Sequence, residues 1–109
     1  KTILEYIPRN QIVLDPGIGF SKSPAQNWEL LGKFSELKQK LSDFRWLLAV
    51  SRKSLFNHVF PGSTAGDENR RDGSVALAFY AAQLGCDYIR VHDIAATDRV
   101  VKVAQHLAI

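Results

Sequence analysis

Three apolar runs, Ile12-Val13-Leu14, Trp46-Leu47-Leu48-Ala49-Val50 and Tyr88-Ile89-Arg90-Val91, each break off into polar residues and each precede a helical pattern. The first runs into Asp15-Pro16-Gly17-Ile18-Gly19-Phe20, the second into Ser51-Arg52-Lys53-Ser54, and the third into His92-Asp93. A strand, a polar tip and a helix, repeated from Ile12 to Trp46 to Tyr88, make a βα series. That series describes an α/β fold with a parallel sheet and its chemistry gathered at the carboxyl edge. A closed (β/α)₈ barrel of this kind takes about 250 residues. A chain of 109 residues therefore supplies either an open sheet or a piece of a barrel. Its opening, Lys1-Thr2-Ile3-Leu4-Glu5-Tyr6-Ile7, lacks an initiator Met and reads as the tail of a helix. We expect a piece.

The helices can be placed from their caps and spacing. Ser23-Pro24-Ala25-Gln26 combines an N-cap serine, a proline at the first helical position and a glutamine at the third, the signature of a capping box. Leu30, Leu31, Phe34, Leu37 and Leu41 then recur at helical spacing, with Lys33, Glu36 and Lys40 on the other side. Trp28 and Phe44 read as core. Residues 61–74 are rich in turn formers and charge and read as a loop. From Val75 to Leu84 the chain is apolar almost all round, with Gly85 as a natural C-cap. A last helix over about Ala96–Ala108 is expected to turn Val100, Val103, Ala104 and Leu107 inward.

Composition excludes several classes of function. With 46% hydrophobic and 23% charged residues the chain is an ordinary globular domain. No stretch approaches the ~20 apolar residues of a membrane span and no signal peptide is visible, so no membrane partner is expected and a cytoplasmic setting is. The formal charge is +3, but the fourteen Lys and Arg are scattered, with Arg52-Lys53 and Arg70-Arg71 the longest basic runs. Small anionic ligands explain that excess better than a nucleic acid. The single Cys86, between Gly85 and a strand, excludes an internal disulfide and reads as a packed thiol.

The three strand tips carry the chemistry. Gly17 and Gly19 allow a sharp turn behind Asp15, and Pro16 stiffens it, so the carboxylate is presented at the end of a buried strand. On the last strand the period of two puts Arg90 and His92 on one face and Ile89 and Val91 on the other. A guanidinium and an imidazole converging there suit phosphate or pyrophosphate. A buried Arg–Asp pair with a satisfied core histidine is the competing structural explanation. In Ser51-Arg52-Lys53-Ser54 a strand gives way to a helix start, where free N–H groups, two hydroxyls and the charge of Lys53 favour a carboxylate or phosphate. Capping by Ser51 or Ser54 is the bland alternative.

Taken in this order and at these separations, Asp15-Pro16-Gly17-Ile18-Gly19-Phe20 with Lys22, then Ser51-Arg52-Lys53-Ser54, Arg71-Asp72-Gly73-Ser74 and Arg90-Val91-His92-Asp93, the chain resembles the dihydropteroate synthase family. The likeness spans the whole chain, with Ser21 and Ala49 standing where the family commonly has glycine. It implies that residues 1–109 are the C-terminal portion of one (β/α)₈ TIM-barrel domain, carrying strands six to eight. The implied reaction transfers a pterin methylene from pyrophosphate to p-aminobenzoate in folate biosynthesis.

The resemblance also implies roles for single residues. Asp15 holds the pterin N–H groups and balances positive charge as pyrophosphate leaves. Lys53 donates to the pterin carbonyl and lines the p-aminobenzoate pocket, whose wall includes Phe20 and whose carboxylate contact is Ser54. Arg90 and His92 hold pyrophosphate. No metal ligand falls in the chain; Mg²⁺ is expected on the substrate pyrophosphate, bound by a residue elsewhere in the barrel. Partners implied are the remaining half of the barrel and a second subunit in a homodimer. Two other readings stand beside this one: a pterin-binding methyltransferase acting with a corrinoid, and a non-catalytic half-barrel.

Overall fold

The computed structural model describes residues 7–19 and 22–107. Within them a three-stranded parallel sheet, ordered β1-β2-β3, joins β1 (Val13–Leu14), β2 (Arg45–Ala49) and β3 (Tyr88–Arg90). Four α-helices accompany it: α1 (Pro24–Gly32), α2 (Phe34–Lys40), α3 (Glu68–Gln83) and α4 (Ile94–Gln105). Short 3₁₀ turns, Arg9–Gln11 and Ser54–His58, precede β1 and follow β2. The expected α/β fold with parallel strands is present. The expected helix tail at the opening falls largely on Lys1–Tyr6, outside the described residues.

Register assigns every side chain of the sheet to a face. Leu14 pairs with Trp46 and Leu48 with Ile89, and these four share the face that packs against helices. There Leu48 and Val50 join Ile18, Leu31, Leu55, Phe56, Leu77 and Ala81 in the main core, with Ile89 and Cys86 against it. Val13 pairs with Arg45, Leu47 with Tyr88 and Ala49 with Arg90, all on the opposite face. Val13 and Tyr88 stay exposed there, at 40% and 44%.

The capping box at Ser23 forms in both directions: Ser23 Oγ accepts from the Gln26 N–H at 3.2 Å, and Gln26 Oε1 accepts from the Ser23 N–H at 2.8 Å. The single apolar face expected from Leu30 to Leu41 is instead broken at Lys33, between α1 and α2. Gly32, the weakest helix former available after proline, ends the first segment. Leu31 and Phe34 stay buried on either side of the break, but Leu41 lies past the end of α2 and is exposed. Trp28 and Phe44 are half-buried; Trp28 donates its Nε1–H to the Leu55 carbonyl at 2.8 Å and meets Phe56 edge-on.

The loop expected over 61–74 stops at Asp67. Its carboxylate accepts from the Asn69 N–H at 2.6 Å and caps a helix that starts at Glu68, and an acid in the first turn complements the helix dipole. Arg70, Ser74, Leu77, Ala78 and Ala81 form the buried stripe of α3. Gly73 sits within it because Phe56 lies across that turn: a Cβ there would come 2.6 Å from Phe56 Cε1. In α4, Thr97 and Ala104 are buried, and Ala96 and Val100 close a groove with Val75 and Phe79 of α3. Val103 and Leu107 are exposed rather than inward, because the buried stripe of α4 runs through Thr97 and Ala104 and leaves Val103 on its far side.

Replacing Gly73 by Ala separates helix propensity from packing. Propensity alone favours the alanine by about 1 kcal/mol, but the added methyl would drive into the fully buried Phe56 ring. Overpacking of this kind costs about 1–3 kcal/mol. Gly73→Ala is expected to lower the urea midpoint of the full-length protein, and an increase would show that the Phe56 contact is not tight.

Candidate active site

The strand tips meet through the segment that follows β2. Arg52 has a left-handed backbone, φ 57°, which costs a non-glycine residue about 1–2 kcal/mol. Two hydrogen bonds from α3 hold it there. The Arg52 N–H donates to Ser74 Oγ at 2.7 Å, and the Arg52 carbonyl accepts from Arg70 Nη1 at 3.1 Å. Arg70 is buried, and its guanidinium also donates to Ser63 Oγ, the Ser63 carbonyl and Asn57 Oδ1 at 2.9, 2.7 and 3.1 Å. One buried cation thus ties the turn after β2 to α3 and to the loop at Ser63.

From this anchor the neighbouring side chains reach the other two strand tips. Arg52 clasps Asp93 with two bonds, Nη2 to Oδ1 at 2.6 Å and Nε to Oδ2 at 3.2 Å. That charged hydrogen bond holds the Asp93 carboxyl below its ordinary value. Ser51, also buried, places its Oγ 3.2 Å from the His92 N–H and 2.8 Å from His92 Nδ1. Lys53 turns the other way and donates from Nζ to the Ile18 carbonyl at 3.0 Å, its chain lying over the glycine turn.

That turn is built as the sequence requires. Gly17 and Gly19 have φ of 78° and 89°, angles that L side chains rarely adopt. Asp15 Oδ1 accepts from the Gly17 N–H at 2.8 Å, and Asn27, fully buried in α1, accepts from the Gly19 N–H at 3.0 Å. By period two Asp15 continues the face of Val13, and His92 that of Arg90. Asp15, Arg90 and His92 are exposed, and all belong to the sheet face turned away from the helices.

Of the residues singled out from the sequence, Lys53 joins the Asp15 turn and His92 joins Ser51, while Arg90 stands exposed beside Ala49. The arginine that binds Asp93 is Arg52, so the competing explanation fits neither Arg90 nor His92. Ser54 is exposed in the 3₁₀ turn, and no side chain caps that turn; the full helix start expected there is five residues of 3₁₀ helix. Phe20 lies outside the described residues. Arg70 and Asn27 were not singled out as site residues, and Ser74 entered only as the end of the Arg71-Asp72-Gly73-Ser74 run. The spacing of Arg70 and Ser74, one helical turn apart, is the signal that an earlier helix start at Asp67 would have exposed. Cys86 is half-buried, its Sγ 3.3 Å from the Trp46 and Tyr88 carbonyls, and burial raises its thiol pKa. Among the described residues no cluster of three or more His, Cys, Asp or Glu could hold a metal ion, and no helix is long and apolar enough to cross a membrane.

Parallel strands with helices packed on them and polar carboxyl ends define an α/β fold, in which ligands bind at that edge. The model of the family described as pterin binding enzyme matches residues 4–92, and the chain belongs to that family. It is 44% identical over 103 residues to the folic acid synthesis protein fol1 of Pneumocystis carinii, covering 90% of this chain and 13% of that protein. It is 39% identical to the dihydropteroate synthase of Streptococcus pyogenes serotype M3, covering 93% of this chain and 37% of that one. The structure is similar to the Yersinia pestis dihydropteroate synthase with a TM-score of 0.82 and 35% identity over 95% of this chain and 47% of that one. It is similar to the Anaplasma phagocytophilum enzyme, solved with bound 6-hydroxymethylpterin-monophosphate, with a TM-score of 0.84 and 32% identity over 97% of this chain and 39% of that one. The chain thus spans well under two thirds of the relatives it matches.

The Arg52–Asp93 bridge gives a pH signature. Asp93 titrates below 3.8 when folded, so between the folded and unfolded values the unfolded chain binds more protons and stability rises with pH. The bridge contribution is complete above the ordinary carboxylate range and is lost as pH falls through the folded value. Asp93→Asn is therefore expected to be less stable than wild type at neutral pH, with the difference shrinking only below about pH 4. A gap independent of pH down to pH 2 in chemical unfolding would remove the charge from the explanation.

Proposed function

We propose that the protein is a dihydropteroate synthase of folate biosynthesis, a transferase, to which this chain contributes strands six to eight of a (β/α)₈ barrel. Family membership and the named relatives support that reading. One feature of this chain carries it further: Asp15, Arg90 and His92 share the sheet face opposite the helices, and Lys53 crosses from the second strand tip to the first. An acid and a lysine at one end and an arginine and histidine at the other suit a substrate that is a heteroaromatic cation on one side and a departing anion on the other.

In this reading the amine of p-aminobenzoate attacks the pterin methylene carbon as the C–O bond to pyrophosphate breaks. The reaction is dissociative, so positive charge builds on the pterin and negative charge on the leaving group. Asp15 accepts from the pterin N–H groups and offsets the first charge. Arg90 and His92 donate to the pyrophosphate oxygens and offset the second. Fixed groups of this kind, aimed at charges that appear only in the transition state, supply the largest part of most rate enhancements. Lys53 donates to the pterin carbonyl and borders the p-aminobenzoate pocket, Phe20 forms part of its wall and Ser54 binds the carboxylate. We place sulfonamide competition in that same pocket. Magnesium is the counter-ion of the substrate pyrophosphate, held by residues other than those described here. The remaining strands of the barrel cover the face on which Val13 and Tyr88 are exposed, and we expect a cytoplasmic homodimer.

The test is pyrophosphate release by the full-length protein from 6-hydroxymethyl-7,8-dihydropterin pyrophosphate and p-aminobenzoate. Asp15→Asn is expected to lose about 10²-fold in kcat, as removal of an electrostatic group does. Arg90→Ala should raise KM for the pyrophosphate substrate. Lys53→Ala should impair both substrates, whereas Lys40→Ala, on a polar helix face, should change nothing. Wild-type turnover in the Asp15 variant, or equal effects of the two lysine variants, would overturn the assignment. The 109-residue chain by itself should be inactive and either self-associate through its sheet edges or require the rest of the barrel, and a stable monomer that forms dihydropteroate would refute that need.

A further inference from the structure

Ser51 has a hydroxyl whose hydrogen bonds can be counted. Its Oγ lies 3.2 Å from the His92 backbone nitrogen, a group that can only donate, so one lone pair of Oγ is an acceptor there. Ser51 is buried at 7% exposure, and its own proton requires an acceptor. Among the described residues the one polar atom in reach is His92 Nδ1, at 2.8 Å. Were Nδ1 to carry the ring proton, Oγ would receive two donors and its own proton would be left without a partner. The arrangement that satisfies all three groups has the Ser51 hydroxyl donating to Nδ1, and the ring proton then resides on Nε2.

We propose that Ser51 is a positioning residue that fixes His92 as the neutral Nε2–H tautomer, so that the exposed edge of the ring presents a hydrogen-bond donor to an anionic ligand beside Arg90. The proposal deepens the reading of His92 as a pyrophosphate contact and rests on it for the ligand. The tautomer follows from the hydrogen bonds of Ser51 alone. Both ends of the contact are anchored. Ser51 precedes Arg52, whose backbone is held by Ser74 and Arg70, and Asp93, next to His92, is clasped by the Arg52 side chain. The imidazole cannot turn without breaking from a hydroxyl that has no second acceptor. An Nδ1–H tautomer would offer the anion a lone pair instead of a proton, which repels it.

Two measurements on the full-length protein decide this. In protein labelled with ¹⁵N-histidine, long-range ¹H–¹⁵N correlation spectra at a pH where the ring is neutral distinguish the two nitrogens, and loss of signals in His92→Asn assigns them. The expected result is a protonated Nε2 and an unprotonated Nδ1. A predominant Nδ1–H form, or an even mixture, overturns the proposal. Titration calorimetry with inorganic pyrophosphate reads the consequence. Ser51→Ala should weaken binding about 3- to 10-fold, the worth of one hydrogen bond, and should move the ring toward a mixture of tautomers. Ser51→Thr, which keeps the hydroxyl, should restore both readouts. Unchanged affinity and an unchanged tautomer in the alanine variant would show that Ser51 does not position the ring. If wild type binds no pyrophosphate, the reading of the site as a pyrophosphate contact fails, while the spectra still decide the role of Ser51.

Discussion

The buried guanidinium of Arg70 is the interaction on which the carboxyl edge depends. Its partners are a serine hydroxyl, an asparagine oxygen and two backbone carbonyls, all neutral. A permanently charged group taken out of water is tolerable only when its donors are met, and hydrogen bonds to a charged group are worth about 1.5–3 kcal/mol each. Set against the ~1–2 kcal/mol cost of a left-handed arginine, the bonds from Arg70 and Ser74 to the Arg52 peptide groups win. The turn after β2 therefore has one shape, and Ser51, Arg52 and Lys53 leave it in three fixed directions.

Those directions explain how the carboxyl ends of three separate strands come to share a site. Ser51 reaches the tip of β3 through His92, Arg52 reaches Asp93 one residue further, and Lys53 reaches the tip of β1 at Ile18. The division of cations follows from it. Arg70 and Arg52 are consumed by structure, one by neutral acceptors and the other by a carboxylate. Arg90 stays exposed at the open face with His92 beside it. An anion arriving there meets a guanidinium whose charge no neighbouring carboxylate has cancelled among the described residues.

Much of this was legible in the residues because the signals are local. Ser23-Pro24-Ala25-Gln26 specifies a capping box within four residues, Gly17 and Gly19 specify a turn that needs positive φ, and period two on Tyr88–His92 separates Arg90 and His92 from Ile89. The errors arose where a distant contact decides. Residues 68–74 look like a loop because they carry six polar side chains and a glycine, yet Arg70 and Ser74 find partners in the turn after β2 and Gly73 makes room for Phe56. No periodicity could reveal partners some 18–22 residues away. Val103 and Leu107 mislead for the opposite reason, since apolar residues on a helix mark a buried face only when another element lies against it.

The two faces of the sheet carry different loads, and the asymmetry links fold to function. The helix side is closed by Leu48, Val50, Phe56 and Leu77, and it fixes where each strand ends. The other side holds Val13, Arg45, Leu47, Tyr88 and Arg90, with Arg45 donating to the Tyr88 hydroxyl at 3.0 Å and lying over its ring. Such a side, part apolar and part cationic, is stable as a barrel interior, where apolar residues fill the lower layers and polar ones rise to the rim. Arg45 and Tyr88 lie at the amino ends of their strands and satisfy one another there, whereas Asp15, Arg90 and His92 lie exposed at the carboxyl ends, with Leu47 and Ala49 between the two polar levels. Residues at the carboxyl rim are thereby open to solvent without disturbing the packing beneath them. That separation leaves Arg90 exposed and Lys53 half-buried at the rim, while Arg70, one turn of α3 before Ser74, holds the shape of the turn from which Lys53 leaves.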